Sequence, residues 1–234
     1  MQRALAYLAR RPDPLTSLVL TVPVFLTYHL GIVWIDRRNG VDLFTSLTLE
    51  LLDYSLWGYL GATLTYAAGL VGAGALLRER GTARPATLLP VVVESACWAL
   101  LMLGLLGWAL EGMVSWTPNA TPLGPVDKVV MAAGAGFHEE AVFRVALFSG
   151  GAFALERAGR IRRAHAFAIA AIASSLAFSA MHHVGAAGDP FGWHAFAFRT
   201  LAGLFLSLLY GLRGFAVAVY THAAYDAMVF FVVD

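Results

Sequence analysis

Of 234 residues, 59% are hydrophobic and 13% charged, a balance that excludes an ordinary soluble domain and makes the bilayer the solvent to reason with. A formal net charge of +1, with arginines in short scattered clusters, excludes a nucleic-acid partner, which needs a concentrated basic face. Cys97 is the single cysteine, so an intrachain disulfide and a cysteine-based metal cluster are excluded too, and its plain reading is a small buried hydrophobe.

Arg3, Arg10 and Arg11 precede an apolar run from Leu15 to Ile35. That run is too long for the core of a secretory signal, and no small-residue cleavage site follows it before Asp36. It reads as a retained first transmembrane helix with the arginines as its flank. A helix needs about 20 apolar residues to cross the hydrocarbon core, and seven such stretches follow one another: Leu15–Ile35, Tyr54–Leu77, Leu88–Leu110, Val126–Leu155, Ala166–Ala187, His194–Leu212 and Phe215–Val232. Asp36–Asp53 leaves room for an interfacial helix. The expected fold is all-α, a polytopic bundle of about seven spans in one membrane domain, with neither a long linker nor an internal repeat.

Lys and Arg near helix ends stay on the cytoplasmic side, while acidic residues matter little. The basic N-terminal tail, then Arg78, Arg80 and Arg84, then Arg157, Arg160, Arg162 and Arg163, and last Arg213 all fall on one face of a seven-helix arrangement. The opposite loops hold Glu111, Asp127 and Lys128, then Asp189, and in the first only Arg37 and Arg38, offset by acids. This predicts a multi-pass protein of the inner or plasma membrane, in contact with lipid, with its N-terminus cytoplasmic.

The ionisable residues inside the spans need a reason. They are Glu139, Glu140 and Arg144 in the fourth, His182 and His183 in the fifth, and His222 and Asp226 in the seventh. A charge at the bilayer centre costs roughly 2.5–3.5 kcal/mol even on the lenient insertion scale, so the set left unpaired would cost on the order of 10 kcal/mol. They must face one another or a water-filled cavity between helices four, five and seven.

Glu140 and Arg144 are four apart and stack on one helix face as an ion pair. Glu139 lies about 100° around the helix and looks elsewhere. His222 and Asp226 share a face, whereas His182 and His183 diverge, so only one of the two histidines joins the cluster. Ala132, Ala133, Gly134, Ala135 and Gly136 leave the fourth helix nearly bare ahead of the glutamates, which permits close approach by its neighbours. The plainer reading of Glu140 with Arg144 is a structural pair, and of His183 and His29 an interhelical hydrogen bond. Glu94 and Arg199 read first as interfacial or snorkelling side chains, second as partners of the polar set. Taken together, a glutamate, two histidines and an aspartate from three helices are the inventory for activating water.

Three protease patterns are absent. His138-Glu139 begins like the zinc motif H-E-x-x-H, but its fifth position is Val142, and no G-x-S-G presents a serine nucleophile. Gly188-Asp189 also lacks the context of a G-x-G-D aspartyl site.

Three patterns remain, in order: Glu139-Glu140-Ala-Val-Phe-Arg144, Phe178-Ser-Ala-Met-His182 and His222-Ala-Ala-Tyr-Asp226. Together they resemble the E-E-x-x-x-R, F-x-x-x-H and H-x-x-x-N motifs of the CAAX protease and bacteriocin-processing family of intramembrane endopeptidases. The resemblance covers about residues 126–232, the expected catalytic core (126–234), and leaves the first three helices (1–125) without a motif.

It implies that Glu139 with His182 holds and deprotonates a water that attacks the scissile carbonyl. Glu140 and Arg144 brace the site, and His222 donates to the oxyanion. Asp226 departs from the family's asparagine: a carboxyl donates only when protonated, so it is either kept neutral by burial or orients His222. A third option is a divalent metal such as zinc on Glu139, His182, His222 and Asp226; no cofactor is the favoured expectation.

His182 falls near the outer end of its span and Glu139 nearer the middle. This points to a chamber open to the extracytoplasmic side and a membrane-anchored or exported protein as substrate. The rival expectation is a non-catalytic scaffold or proton-coupled transporter that keeps the polar core for packing or proton binding.

Overall fold

The computed structural model describes residues 13–35, 37–76, 87–109, 123–159, 161–185 and 188–233. Arg3, Arg10, Arg11, Arg78, Arg80, Arg84, Glu111 and Arg160 of the orientation argument lie outside them. Among the described residues every regular element is helical.

Helix α1, residues 14–31, is built of Pro14–Leu20 and Val22–Gly31. Asp13 caps its start, Oδ1 accepting from the Thr16 amide at 2.9 Å, and Pro14 occupies a first-turn position that needs no N–H. The rod breaks at Thr21, where Pro23 removes a donor from the ladder and the Thr21 hydroxyl donates to the Leu18 carbonyl at 2.7 Å. A short helix α2, Leu43–Leu51, follows and is capped by Asp42. Its Leu43, Leu47 and Leu51 repeat every four residues and are all exposed, the stripe that a helix lying at the headgroup level presents to lipid. Then come α3 (Leu56–Leu76), α4 (Leu88–Ala109), a long rod α5 (residues 125–159), α6 (Arg163–Met181), α7 (Trp193–Arg213) and α8 (Phe215–Val233).

Among the described residues five helices are long and apolar enough to cross a membrane: Pro14–Gly31, Leu56–Leu76, Leu88–Trp108, Arg163–Met181 and Trp193–Arg213. The apolar stretch Phe215–Phe231 of α8 is shorter. The other expected span, 126–155, lies within α5, whose charged interior sets it apart from the apolar five. In α3, α4, α6 and α7 the apolar window is only 22–33% buried, so most of the hydrophobic side chains point outward, the reverse of a soluble bundle. The chain is an integral membrane protein. Cys97, expected to be buried, is exposed on α4, because the apolar run it sits in faces outward rather than into the core.

The core gathers around α5 and α8. Phe25 and Tyr28 of α1 pack with Val130 and Phe137 of α5 and Val219 of α8, while Met102, Leu206 and Tyr225 join α4, α7 and α8. The bare stretch of α5 is where backbones meet: a Cβ on Gly136 would stand 2.7 Å from the Val219 carbonyl oxygen, and one on Gly134 would stand 2.4 Å from the Tyr28 ring. Glu94, read first as interfacial, instead sits half-buried in a two-pronged pair with Arg213, Nε to Oε1 at 2.6 Å and Nη2 to Oε2 at 3.0 Å, which ties α4 to the end of α7.

Candidate active site

Helix α5 is wound unusually where the glutamates sit. Ala135–Glu139 and Ala141–Gly150 are π-helical, between ordinary α-helical ends Pro125–Gly134 and Gly151–Gly159. Wider winding of this kind recurs at functional sites, because it re-aims side chains that a regular helix would stack. Here it leaves Glu140 above Arg144, Nε to Oε2 3.2 Å, with both side chains wholly buried. Arg144 also lies over the Phe178 ring, 4.6 Å from its centroid, and its Nη2 donates to the Gly203 carbonyl at 3.4 Å.

Glu140 reaches α8 as well: its Oε1 is 2.8 Å from His222 Nδ1. That contact turns His222 Nε2 toward Glu139 Oε2, 3.9 Å away, and toward Asp226 Oδ2 at 3.6 Å. On α6, His182 Nδ1 donates to the Phe178 carbonyl one turn back, at 2.8 Å, so the ring presents Nε2 to Glu139 Oε2, again 3.9 Å away. Glu139 Oε2 itself is buried and has no hydrogen-bond partner among the described residues. One carboxylate oxygen thus stands between two imidazole nitrogens from two other helices.

The structure brings Glu139, His182, His222 and Asp226 around one point, with Glu140 and Arg144 behind it. His183 turns away, its Nδ1 on the Asp189 carbonyl at 3.1 Å, and Arg199 pairs with Asp189. Two grooves of about 350 and 770 Å³ are lined by other residues, so neither is the polar chamber expected between the fourth, fifth and seventh spans.

Asn39 belongs to the site and has no counterpart in the motifs. It lies in the connection between α1 and α2, and its Nδ2 donates to Glu139 Oε1 at 2.7 Å. The Asn39 amide donates to the Tyr28 hydroxyl at 2.9 Å and its Oδ1 accepts from the Val41 amide at 3.0 Å, so the side chain is held from both sides. The Asn39-Gly40 dipeptide signals a turn; nothing local signals a partner one hundred residues away. Replacing Asn39 by alanine frees one oxygen of Glu139, and turnover in proteoliposomes is expected to fall about tenfold, the size of a positioning contact rather than of a reacting group. A rate equal to the unsubstituted protein's would remove Asn39 from the site.

Comparison with curated proteins and with solved structures returned no match. A family model described as type II CAAX prenyl endopeptidase Rce1-like matches residues 121–228, a stretch that starts just before α5 and ends within α8 and so holds the two glutamates, Arg144, His182, His222 and Asp226. Over that segment, just under half of the chain, the protein is similar to the Rce1-like family of CAAX proteases, a likeness that points to a protease acting on a membrane-associated protein.

Proposed function

We propose that the chain is an intramembrane endopeptidase that hydrolyses a peptide bond near the membrane face of a protein substrate with a glutamate- and histidine-activated water. The observation that carries this is the placement of Glu139 Oε2 3.9 Å from His182 Nε2 and 3.9 Å from His222 Nε2. That separation is too long for a direct hydrogen bond and suits two polar groups that share one water. Asn39 occupies the other oxygen of Glu139, which leaves Oε2 as the base.

In this reading Glu139 takes a proton from the water as its oxygen attacks the scissile carbonyl, and the proton then passes to the leaving amine. His182, fixed by Phe178 with Nε2 inward, orients the water and accepts from it. His222 donates from Nε2 to the oxyanion; with Nδ1–H already given to Glu140, the ring must carry both protons to do so. Asp226 lies beside the same nitrogen. From there it steadies a doubly protonated ring, or, protonated, is itself a second donor to the oxyanion.

The side chains of His182 and Asp226 are 30% and 20% exposed, against 11% for Glu139 and 5% for His222. Water and substrate therefore enter from the side of His182 and Asp226. We place that side at the extracytoplasmic face, and the substrate is the membrane-proximal segment of an anchored or exported protein; prenylated tails, the substrate in the family's name, would call for an inward opening.

Glu139, His182, His222 and Asp226 also offer zinc donors. The 3.9 Å gaps around Glu139 Oε2 suit a bridging water, and we favour a metal-free reaction.

The deciding experiment is a comparison of membrane substrates in cells carrying the protein or its His182→Ala form. Uncut substrate is expected to accumulate with the variant, at about a hundredfold lower processing. Undiminished processing would instead assign the polar core to a non-catalytic scaffold or carrier.

A further inference from the structure

Beside the candidate active site stands a second polar cluster that the reaction does not use. His29 of α1, Asp42 at the cap of α2 and His138 of α5 are all buried, and one ligand atom from each lies within 4.8 Å of the others. It is the one grouping of its kind among the described residues. His138 Nε2 is 3.2 Å from His29 Nε2 and 3.5 Å from Asp42 Oδ1. These two separations are close to the edge of about 3.3–3.4 Å expected between ligands of a tetrahedral zinc ion, whose bonds to nitrogen and carboxylate oxygen are about 2.0–2.2 Å, and the third edge, His29 to Asp42, lies within 4.8 Å.

The surroundings are built as the outer shell of a metal centre is built. The Tyr59 hydroxyl donates to the His29 carbonyl at 3.2 Å and lies 2.6 Å from His29 Nδ1; with its proton given to the carbonyl it accepts from Nδ1–H, the tautomer that leaves the lone pair of Nε2 for a metal. The second oxygen of Asp42 accepts from the Tyr28 hydroxyl at 2.9 Å, so Oδ1 is aimed inward. Thr45 closes the shell, its amide donating to Asp42 Oδ1 at 2.9 Å and its hydroxyl 3.3 Å from His29 Nδ1. A groove of about 350 Å³ between the α1–α2 connection, α2 and α3 is lined by Thr45 and Tyr59, the two side chains next to His29.

We propose that His29, Asp42 and His138 bind a divalent transition metal ion, structural in role, that clamps the α1–α2 connection to α5. Two imidazoles and a carboxylate suit zinc or ferrous iron, not calcium or magnesium, which take oxygen ligands. When His138 Nε2 ligates, the proton between the two facing imidazoles moves to His138 Nδ1, so both rings bind as neutral imidazoles. The clamp acts on the neighbouring site through one chain of contacts: Asp42 holds Tyr28, Tyr28 accepts from the Asn39 amide, and Asn39 holds Glu139.

The test is metal analysis of the full chain purified in detergent, followed by chelation and titration with zinc alone and cobalt(II) alone. About one ion per chain is expected. Tyr59→Phe should weaken zinc about tenfold by loosening His29, and His138→Asn should abolish stoichiometric binding, while Glu139→Gln and His182→Ala retain it. Because a ligand variant can fail to fold, the thermal midpoint of the unsubstituted, stripped protein is read too, and it should rise on adding zinc, as any ion bound only by the folded state must make it do. Absence of both bound metal and a zinc-dependent midpoint would overturn the proposal, as would an ion that survives His138→Asn but leaves with His182→Ala. Neither readout depends on proteolysis, so this inference can fail while the catalytic reading stands.

Discussion

Glu139→Gln is expected to slow substrate processing by about 10²–10⁴-fold, the range that removal of a general base produces, while leaving the fold intact. The amide has the carboxylate's shape, and its oxygen can still accept from Asn39 Nδ2, the 2.7 Å contact that positions Glu139. What changes is the atom between the two histidines. An NH₂ group there faces His182 Nε2 and His222 Nε2, each 3.9 Å from the present oxygen, and has no lone pair with which to take a proton from water. Single-turnover rates in proteoliposomes, with thermal midpoints in detergent as the control, read the two effects apart. A variant that cuts at the original rate with an unchanged midpoint removes Glu139 from the chemistry.

Arg144→Ala is expected to act on stability instead, by about 3–5 kcal/mol, because it leaves a buried carboxylate without its cation. Arg144 and Glu140 are both inaccessible, and the guanidinium also lies over Phe178 and reaches the Gly203 carbonyl, contacts that lysine cannot reproduce with one ammonium. The thermal midpoint should drop sharply, and adding Glu140→Gln to the same chain should restore part of it by removing the stranded charge. His222 keeps a partner in that double variant, since a glutamine oxygen accepts from Nδ1 as the carboxylate does. If Arg144→Ala left the midpoint untouched, the pair would be a bystander rather than a brace.

The ionisable members of the site were readable in the sequence because each sits where lipid should exclude it, in an otherwise apolar stretch. Glu140 with Arg144 could be read as stacked from a four-residue spacing, which survives the altered winding of α5, and the divergence of His182 from His183 followed from helix geometry. Asn39 was unreadable. An uncharged residue in a short connection carries no penalty to flag it, and its partner is set by how α1 packs on α5, through Tyr28 against Gly134.

His138 and Asp42 were overlooked for a related reason. Sequence patterns for metal sites look for ligands on one helix, as in the failed H-E-x-x-H, whereas these come from three separate elements. Of the seven spans expected, five are matched among the described residues by helices long and apolar enough to cross, whereas the fourth falls on the charged rod that carries the site and the seventh on a shorter apolar helix.

Gly214 alone separates α7 from α8, at φ +88°, a backbone region that side chains with a Cβ rarely adopt. His222 follows two turns later. With so short a joint, pinned in addition by Arg213 on Glu94, the α7–α8 junction itself offers no hanging segment for a regulator to grip, a kinase to modify or an insertion to lengthen, and the last histidine is carried as rigidly as the helix before it. His182 is joined differently, to a connection that holds the Gly185 turn and the Asp189–Arg199 pair, so the two candidate histidines are carried on joints of unequal length.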